Sequence, residues 1–500
     1  MSVSTKSIIR HSAKFNIVSI VSMLIQIPNQ LIIGMFLAPQ EYGIISFVAL
    51  WGLYAGLINP GTLSAGQREI PFLMGKNEQE QIIKVQNIAV TSDLIYSILP
   101  FFVILCSSFF YSNKMIKVGL ILTAFSFIAN RFVTCWSSVN FVKQKFTDVA
   151  IGRLISAILT PIIIIGTIYW FDGIYVVLTA PLISTIFMGI YYLKKAPIGY
   201  YFRFEWTETL RLIKIGLVFS LFGLIFYGYR MADRTLVASF LPLYDLGLFT
   251  FAMGSITFGM NFLADFGRVL EPILWEHSGK AEDPADSFIN TKRMAIYMAL
   301  VTAMIVPLVQ VGYDLTVRIL VPNYIESIPL FFILSNMLFL AAMATVPSVI
   351  LTSVVINKQT LLTGIYAIGV VINISLGLLV IHLGFGVEAI AFVTILSQGM
   401  VTLISFFLAR NYMIRQEKGF ALFLWQVTLP FILCVLFSVF HGVLSSTTIN
   451  HWLIGGVSIV AQIIIWSIVL TIFYSNYVTK DMIINGIKGL YNIGISGIKK

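Results

Sequence analysis

Charge is what this chain has least of. Of its 500 residues only 11% are Asp, Glu, Lys or Arg, against 58% hydrophobic residues, and the mean hydropathy is +0.91. Soluble domains carry about 25% charged residues, so a string of soluble domains is excluded. The chain reads as an all-α polytopic membrane protein, because a long apolar run crosses a bilayer only as a helix that satisfies its own backbone. Cysteine is also scarce. Cys106, Cys135 and Cys434 all lie in apolar runs, with neither a disulfide framework nor a metal-ligand spacing among them. No metal and no other cofactor is expected. No G-x-x-x-x-G-K-[ST] phosphate loop occurs, so the chain does not drive itself by ATP hydrolysis, and there is no H-E-x-x-H. The net charge of +10 is not gathered into a Lys/Arg block of the kind that holds nucleic acid.

What is present is a succession of apolar runs. They predict about fourteen spans, at 15–37, 44–60, 86–111, 118–139, 149–170, 174–193, 215–238, 247–266, 294–317, 328–351, 360–382, 389–409, 422–441 and 453–475. Lys6, Arg10 and Lys14 precede the first run, which is too long for a signal peptide and lacks a small-residue cleavage site. With the N-terminus inside, 25 of the 32 Lys and Arg fall in cytoplasmic segments, and only Lys114, Lys117 and Arg318 fall outside. That is the positive-inside pattern, and it puts both termini in the cytoplasm. The outer connections are short and carry no paired carboxylates, which favours a transporter over an enzyme. Segments 61–85, 194–214 and 267–293 read as cytoplasmic connectors, the last with a surface helix.

The chain also resembles itself. At an offset of 204, Phe36-Leu37 matches Phe240-Leu241, Glu41 matches Asp245, Gly43 matches Gly247 and Phe47 matches Phe251. Arg68 with Pro71-Phe72-Leu73 is echoed by Arg268 with Pro272-Ile273-Leu274. Equivalent elements lie six spans apart, so the halves are parallel repeats about an axis along the membrane normal. The expected organisation is one six-helix lobe over 1–196, a second over 197–420, and helices 13 and 14 with a tail over 421–500. Prolines 28, 161, 181, 307, 347 and 430 fall inside spans, where each removes a helix hydrogen bond.

Four arginines lie within spans: Arg131, Arg153, Arg230 and Arg234. Arg153 and Arg234 are near span ends and can snorkel, but Arg131 and Arg230 need a protein interior or a wet cavity. Arg230, Asp233 and Arg234 stand at i, i+3 and i+4 on one helix face. They form either a self-compensated cluster or a lining for an anionic group. Asp93 is either a partner for Arg131 or Arg153, or a titrating group for ion coupling. At the repeat offset the charged cluster falls on Gln26, Asn29 and Gln30. The expectation is a lopsided cavity, with a charged wall on the seventh span and a neutral, sugar-binding wall on the first. Arginine suits phosphate or pyrophosphate because its fork binds bidentately.

Three stretches resemble a known family. F-L-A-P-Q-E-Y-G-I-I-S-F-V-A (Phe36–Ala49) is similar to the motif joining helices 1 and 2 of Wzx-type polysaccharide flippases. D-R-T-L-V-A-S-F-L-P-L-Y-D-L-G-L-F-T-F-A (Asp233–Ala252) is similar to its counterpart between helices 7 and 8, although Leu-Pro-Leu-Tyr-Asp replaces the commoner glycine-containing turn. Leu320–Leu334 resembles the start of the family's helix 10. The resemblance is to the multidrug/oligosaccharidyl-lipid/polysaccharide (MOP) exporter superfamily. It implies two six-helix lobes working by alternating access. It also implies carriage of an undecaprenyl-pyrophosphate-linked oligosaccharide across the bacterial plasma (inner) membrane, for O-antigen, lipopolysaccharide or capsule. Implied partners are the lipid bilayer, H+ or Na+ as coupling ion, and other polysaccharide assembly proteins, with no nucleic acid. A multidrug/cation antiporter of the same fold is the alternative, and a glycan polymerase or ligase a third reading.

Overall fold

A computed structural model describes residues 21–22, 25, 28–260, 288, 291–353, 356–414, 417–445 and 451–474. Among them every regular element is helical. We label them α1 (28–36), α2 (Pro39–Leu57), α3 (Thr62–Gly75), α4 (Gln79–Ser107), α5 (Lys114–Val142), α6 (Phe146–Thr167), α7 (Gly173–Lys195), α8 (Trp206–Phe240), α9 (Leu243–Met260), α10 (Thr291–Leu320), α11 (Ser327–Leu334), α12 (Asn336–Thr352), α13 (Gln359–His382), α14 (Val387–Met413), α15 (Glu417–Ser445) and α16 (His451–Phe473). Helices α4 to α7 pack chiefly on one another and on α2. Helix α8 packs on α13, and α10 carries α12, α15 and α16.

Among the described residues eleven helices are long and apolar enough to cross a membrane, or twelve if the bent pair α2–α3 is one span. The expected fourteen are not all recovered. Helix α8 is long enough on its own: 35 residues at about 1.5 Å each exceed a hydrocarbon core of about 30 Å. Its first turns extend past the apolar layer, where Arg211 pairs with Glu69 and Glu208 at 2.6 and 2.7 Å.

The largest departure from the sequence reading is α3. It occupies most of what reads as the connector 61–85. Its sequence includes Gln67, Arg68, Glu69 and Pro71, so hydropathy alone misses it. It forms because Ala65 and Ile70 bury against Ile82, Val85, Ile88 and Ala89 of α4 and Leu212 of α8. The chain turns 51° between α2 and α3, with Gly61 at φ +84° and its N–H held by Asn59 Oδ1 at 2.8 Å. A side chain at that φ would be strained. The connector expected at 267–293 lies largely outside the described residues.

The duplicated turn meets itself. A Cβ on Gly43 would fall 1.7 Å from the carbonyl oxygen of Leu243, and a Cβ on Gly247 would fall 1.8 Å from that of Pro39. Residues 39 and 43 plus the repeat offset are 243 and 247, so these two contacts are one contact related by the pseudo-symmetry. Like any two-fold contact, it is self-complementary. Nothing larger than glycine fits at either position.

Candidate functional site

The three family-like stretches converge at this crossing. Pro39 opens α2, and Glu41 turns back to accept the Ala38 N–H at 2.9 Å. The buried Tyr324, from the turn after α10, donates its hydroxyl to the carbonyl of Leu37 at 3.1 Å. Its ring stacks on Phe251 at 4.2 Å, and Tyr42 meets Phe251 edge-on at 5.7 Å. The motifs therefore build a closed junction between α2, α9 and the α10–α11 turn. Gln30 belongs to the same junction. It is 7% exposed, and its Nε2 donates to the Phe251 carbonyl at 2.6 Å and to Ser255 Oγ at 3.2 Å. The expectation that Gln30 lines a sugar-binding wall is corrected: α9 uses its amide. Asn29 is half-buried, with a buried Oδ1 that has no hydrogen-bond partner. Gln26 lies outside the described residues.

At the other end of α2 the halves close again, backbone to backbone. A Cβ on Gly216 of α8 would sit 1.9 Å from the carbonyl oxygen of Gly61. Between the two closures, the Tyr54 hydroxyl of α2 bonds Thr235 Oγ1 of α8. Helix α8 thus touches α2 through this hydroxyl pair and packs more extensively on α3.

Asp93 and Arg131 come together as an ion pair. Asp93 is fully buried. Its Oδ1 stands 2.9 Å from Arg131 Nη2, and its Oδ2 accepts from Cys135 Sγ at 3.3 Å. Of the two readings of Asp93, the contact with Arg131 is the one seen. Arg131 is neutralised in the same contact, 13% exposed at the side chain, so it is no longer an open anion ligand. Arg153 lies on an exposed face of α6.

The cluster on α8 is coupled without direct pairing: Asp233 is within electrostatic reach of Arg234 and Arg230. Asp233, 2% exposed, accepts the backbone N–H of Arg234 at 2.7 Å and has Thr394 of α14 beside it. It makes no ion pair with Arg230 or Arg234 among the described contacts. Of the two readings of the cluster, no direct Asp233–Arg230 pair forms among the described residues, because α8 packs on α13 and α14 with residues 229 and 233 turned inward. There Tyr229 meets the Ser397 hydroxyl at 3.3 Å. Arg230 and Arg234 stand on the flank instead. Arg230 lies over the Phe226 ring at 6.0 Å, and Arg234 lies within electrostatic reach of Tyr42 on α2. The Arg234 Nε is buried without a hydrogen-bond partner. Two guanidinium groups one turn apart, with no carboxylate paired to either, can hold an anion bidentately.

Residues 74–311 match the family model described as polysaccharide biosynthesis protein. No curated protein matches the chain by sequence. Among solved structures, the lipid II flippase MurJ in an inward closed conformation is 14% identical. The match covers 93% of this chain and 99% of that one, with a TM-score of 0.70. An inward-facing multidrug resistance MATE transporter of the MOP superfamily, also 14% identical, covers 78% and 94%, with a TM-score of 0.58. A MOP superfamily transporter from Pyrococcus furiosus, with a binding pocket described as reversed in polarity, is 14% identical over 80% and 95%, with a TM-score of 0.56.

Proposed function

From a chain with the MOP-superfamily transporter fold, matching a polysaccharide biosynthesis family over residues 74–311, we propose a flippase for lipid-linked oligosaccharide. Its substrate is an undecaprenyl-pyrophosphate-linked repeat unit, and its site is the bacterial plasma membrane with both termini cytoplasmic. The lobes of this reading are residues 1–196 and 197–420, with 421–500 appended. The observation that carries it is the pair Arg230 and Arg234, in direct ion pair with no carboxylate among the described residues, Asp233 being turned inward. A pyrophosphate supplies the missing anion, the sugar crosses beside it, and the lipid tail stays in the bilayer. A cation antiporter needs open carboxylates in the same place. Here Asp93 is paired and Asp233 is buried, which weighs against that reading.

The test is Arg230→Ala with Arg234→Ala. A hydrogen bond to a charged group contributes about 1.5–3 kcal/mol, so each arginine is expected to matter by roughly ten- to a hundredfold. The double variant should reach the membrane at the wild-type level and lose transport of lipid-linked oligosaccharide in proteoliposomes. Unchanged transport in the double variant overturns the assignment.

A further inference from the structure

Helices α15 and α16 fall outside the repeat, and a buried polar network fastens them to α10. Asp314 on α10 is 1% exposed at its side chain. Its Oδ1 holds Arg318 Nε at 2.7 Å, and its Oδ2 faces His441 Nε2 of α15 at 3.4 Å. The other ring nitrogen of His441, Nδ1, lies 2.8 Å from Ser458 Oγ of α16. Arg318 reaches on to the Ser445 carbonyl at 3.1 Å and to His451 Nε2 at 3.3 Å. A cavity of about 540 Å³ adjoins the network, with Arg318, Glu326, Asn336, Ser438, Gly442 and Ser445 in its wall.

We propose that His441 and Asp314 form a proton-binding site, with Arg318 shared between it and the cavity wall. The proposal is independent of what the protein transports. It rests first on unfilled hydrogen bonding. Asp314 Oδ2 and His441 Nε2 are both buried, both lack a hydrogen-bond partner, and face each other. Ser458 Oγ can donate to Nδ1 or accept from it, so a ring protonated on both nitrogens keeps that bond and makes a charge-assisted N–H···O bond to Asp314. Second is the charge balance. With both histidines neutral, Arg318 at +1 faces Asp314 and Glu326 at −1 each, so the site favours a cation over a phosphate. Third is the absence of a metal cage: among the described residues no three His, Cys, Asp or Glu side chains converge to hold a metal.

The two histidines divide the roles. A guanidinium only donates, so His451 Nε2 must accept from Arg318, and a proton there would break that bond. His441 has no such obstacle. Asp314 faces it from α10 and Ser458 from α16, with Arg318 and His451 in the same network. The sequences of α11 and α12, which also pack on α15, contain no titratable side chain. The proton therefore tightens the attachment of α15 and α16 to α10 in acid and relaxes it in base.

A double-mutant cycle in purified protein tests this with His441→Gln, Asp314→Asn and the double variant, melted at about pH 8 and about pH 5.5. The coupling between the two positions is expected to appear on acidification, as a Tm shift of roughly 1–3 °C. A coupling equal at both pH values makes the contact a fixed staple and overturns the proposal. Histidine-selective NMR of the wild-type protein gives a second readout. Five histidines give five ring signals, assigned by His441→Gln or, should that variant not insert, by elimination with the other four. The His441 signal should move over this pH interval. A stationary His441 signal likewise overturns the proposal.

Discussion

Gly43→Ala is expected to destabilise the protein, although alanine is ordinarily the better helix residue. A glycine inside a helix is about 0.5–1 kcal/mol worse than alanine, so an exchange into open space should stabilise. Gly56, on the same helix, meets nothing within 4 Å of its would-be Cβ, and Gly56→Ala is the matched control. At Gly43 the new methyl would stand 1.7 Å from the Leu243 carbonyl oxygen and 2.7 Å from its carbon. These are backbone atoms, so no rotamer change relieves the clash, and α9 has to move away. Overpacking of this kind costs about 1–3 kcal/mol or more. Gly247→Ala makes the symmetry-equivalent clash with Pro39 and should behave alike. Thermal unfolding of the three variants decides it: Gly43→Ala and Gly247→Ala below the wild type, Gly56→Ala at or above it. A Gly43→Ala protein as stable as Gly56→Ala would show that the halves do not need this approach. In a flippase working by alternating access the same variants should lose transport, since the junction could no longer close.

Arg131→Ala is the second large effect, and we expect it to act through folding. The substitution strands the fully buried Asp93 carboxylate, with only the weak Cys135 thiol donor left. Removing one member of a buried pair costs about 3–5 kcal/mol, whereas replacing both members by neutral groups is often close to neutral. Arg131→Ala should therefore melt well below the wild type and accumulate poorly in the membrane, and Arg131→Ala with Asp93→Asn should recover much of the loss. If the single variant is as stable as the double, Asp93 is not held by Arg131. The contrast with Arg230 and Arg234 is diagnostic. Neither has a paired carboxylate to strand, so their removal should spare stability and cost transport.

The pairing of intramembrane charges shows where sequence reasoning stops. Helical spacing puts residues 230, 233 and 234 near one another, and that much holds. It does not say how α8 is rotated about its own axis. Packing against α13 and α14 sets that rotation, as it does for membrane helices generally, and it turns the Asp233 carboxylate inward, so that it pairs directly with neither arginine. Gln30 illustrates the same limit. Its polarity marks it as non-lipid-facing, but only the approach of α9 turns that polarity into an interlobe hydrogen bond.

Little of the histidine network was legible. Asp314 and Arg318 stand at i and i+4 on α10, but no spacing in the chain relates that pair to His441, His451 and Ser458 on two other helices. Their only signal in the sequence is that polar side chains in or beside apolar spans need partners. Helix α3 escaped for the opposite reason: its composition looks like a loop, and it is helical because α4 and α8 bury one face of it.

By itself the sequence determined the membrane class, most of the spans, the MOP-like resemblance and the internal duplication. These follow from hydropathy summed over whole helices and from a turn motif repeated at a fixed offset, and neither depends on which helix touches which. Tertiary structure alone decided that the duplicated turns meet glycine to glycine, that Asp93 answers Arg131, and that among the described residues no carboxylate pairs directly with Arg230 or Arg234. Those outcomes depend on helix rotation and on backbone approaches of a few ångströms between residues up to two hundred positions apart, which no local pattern encodes.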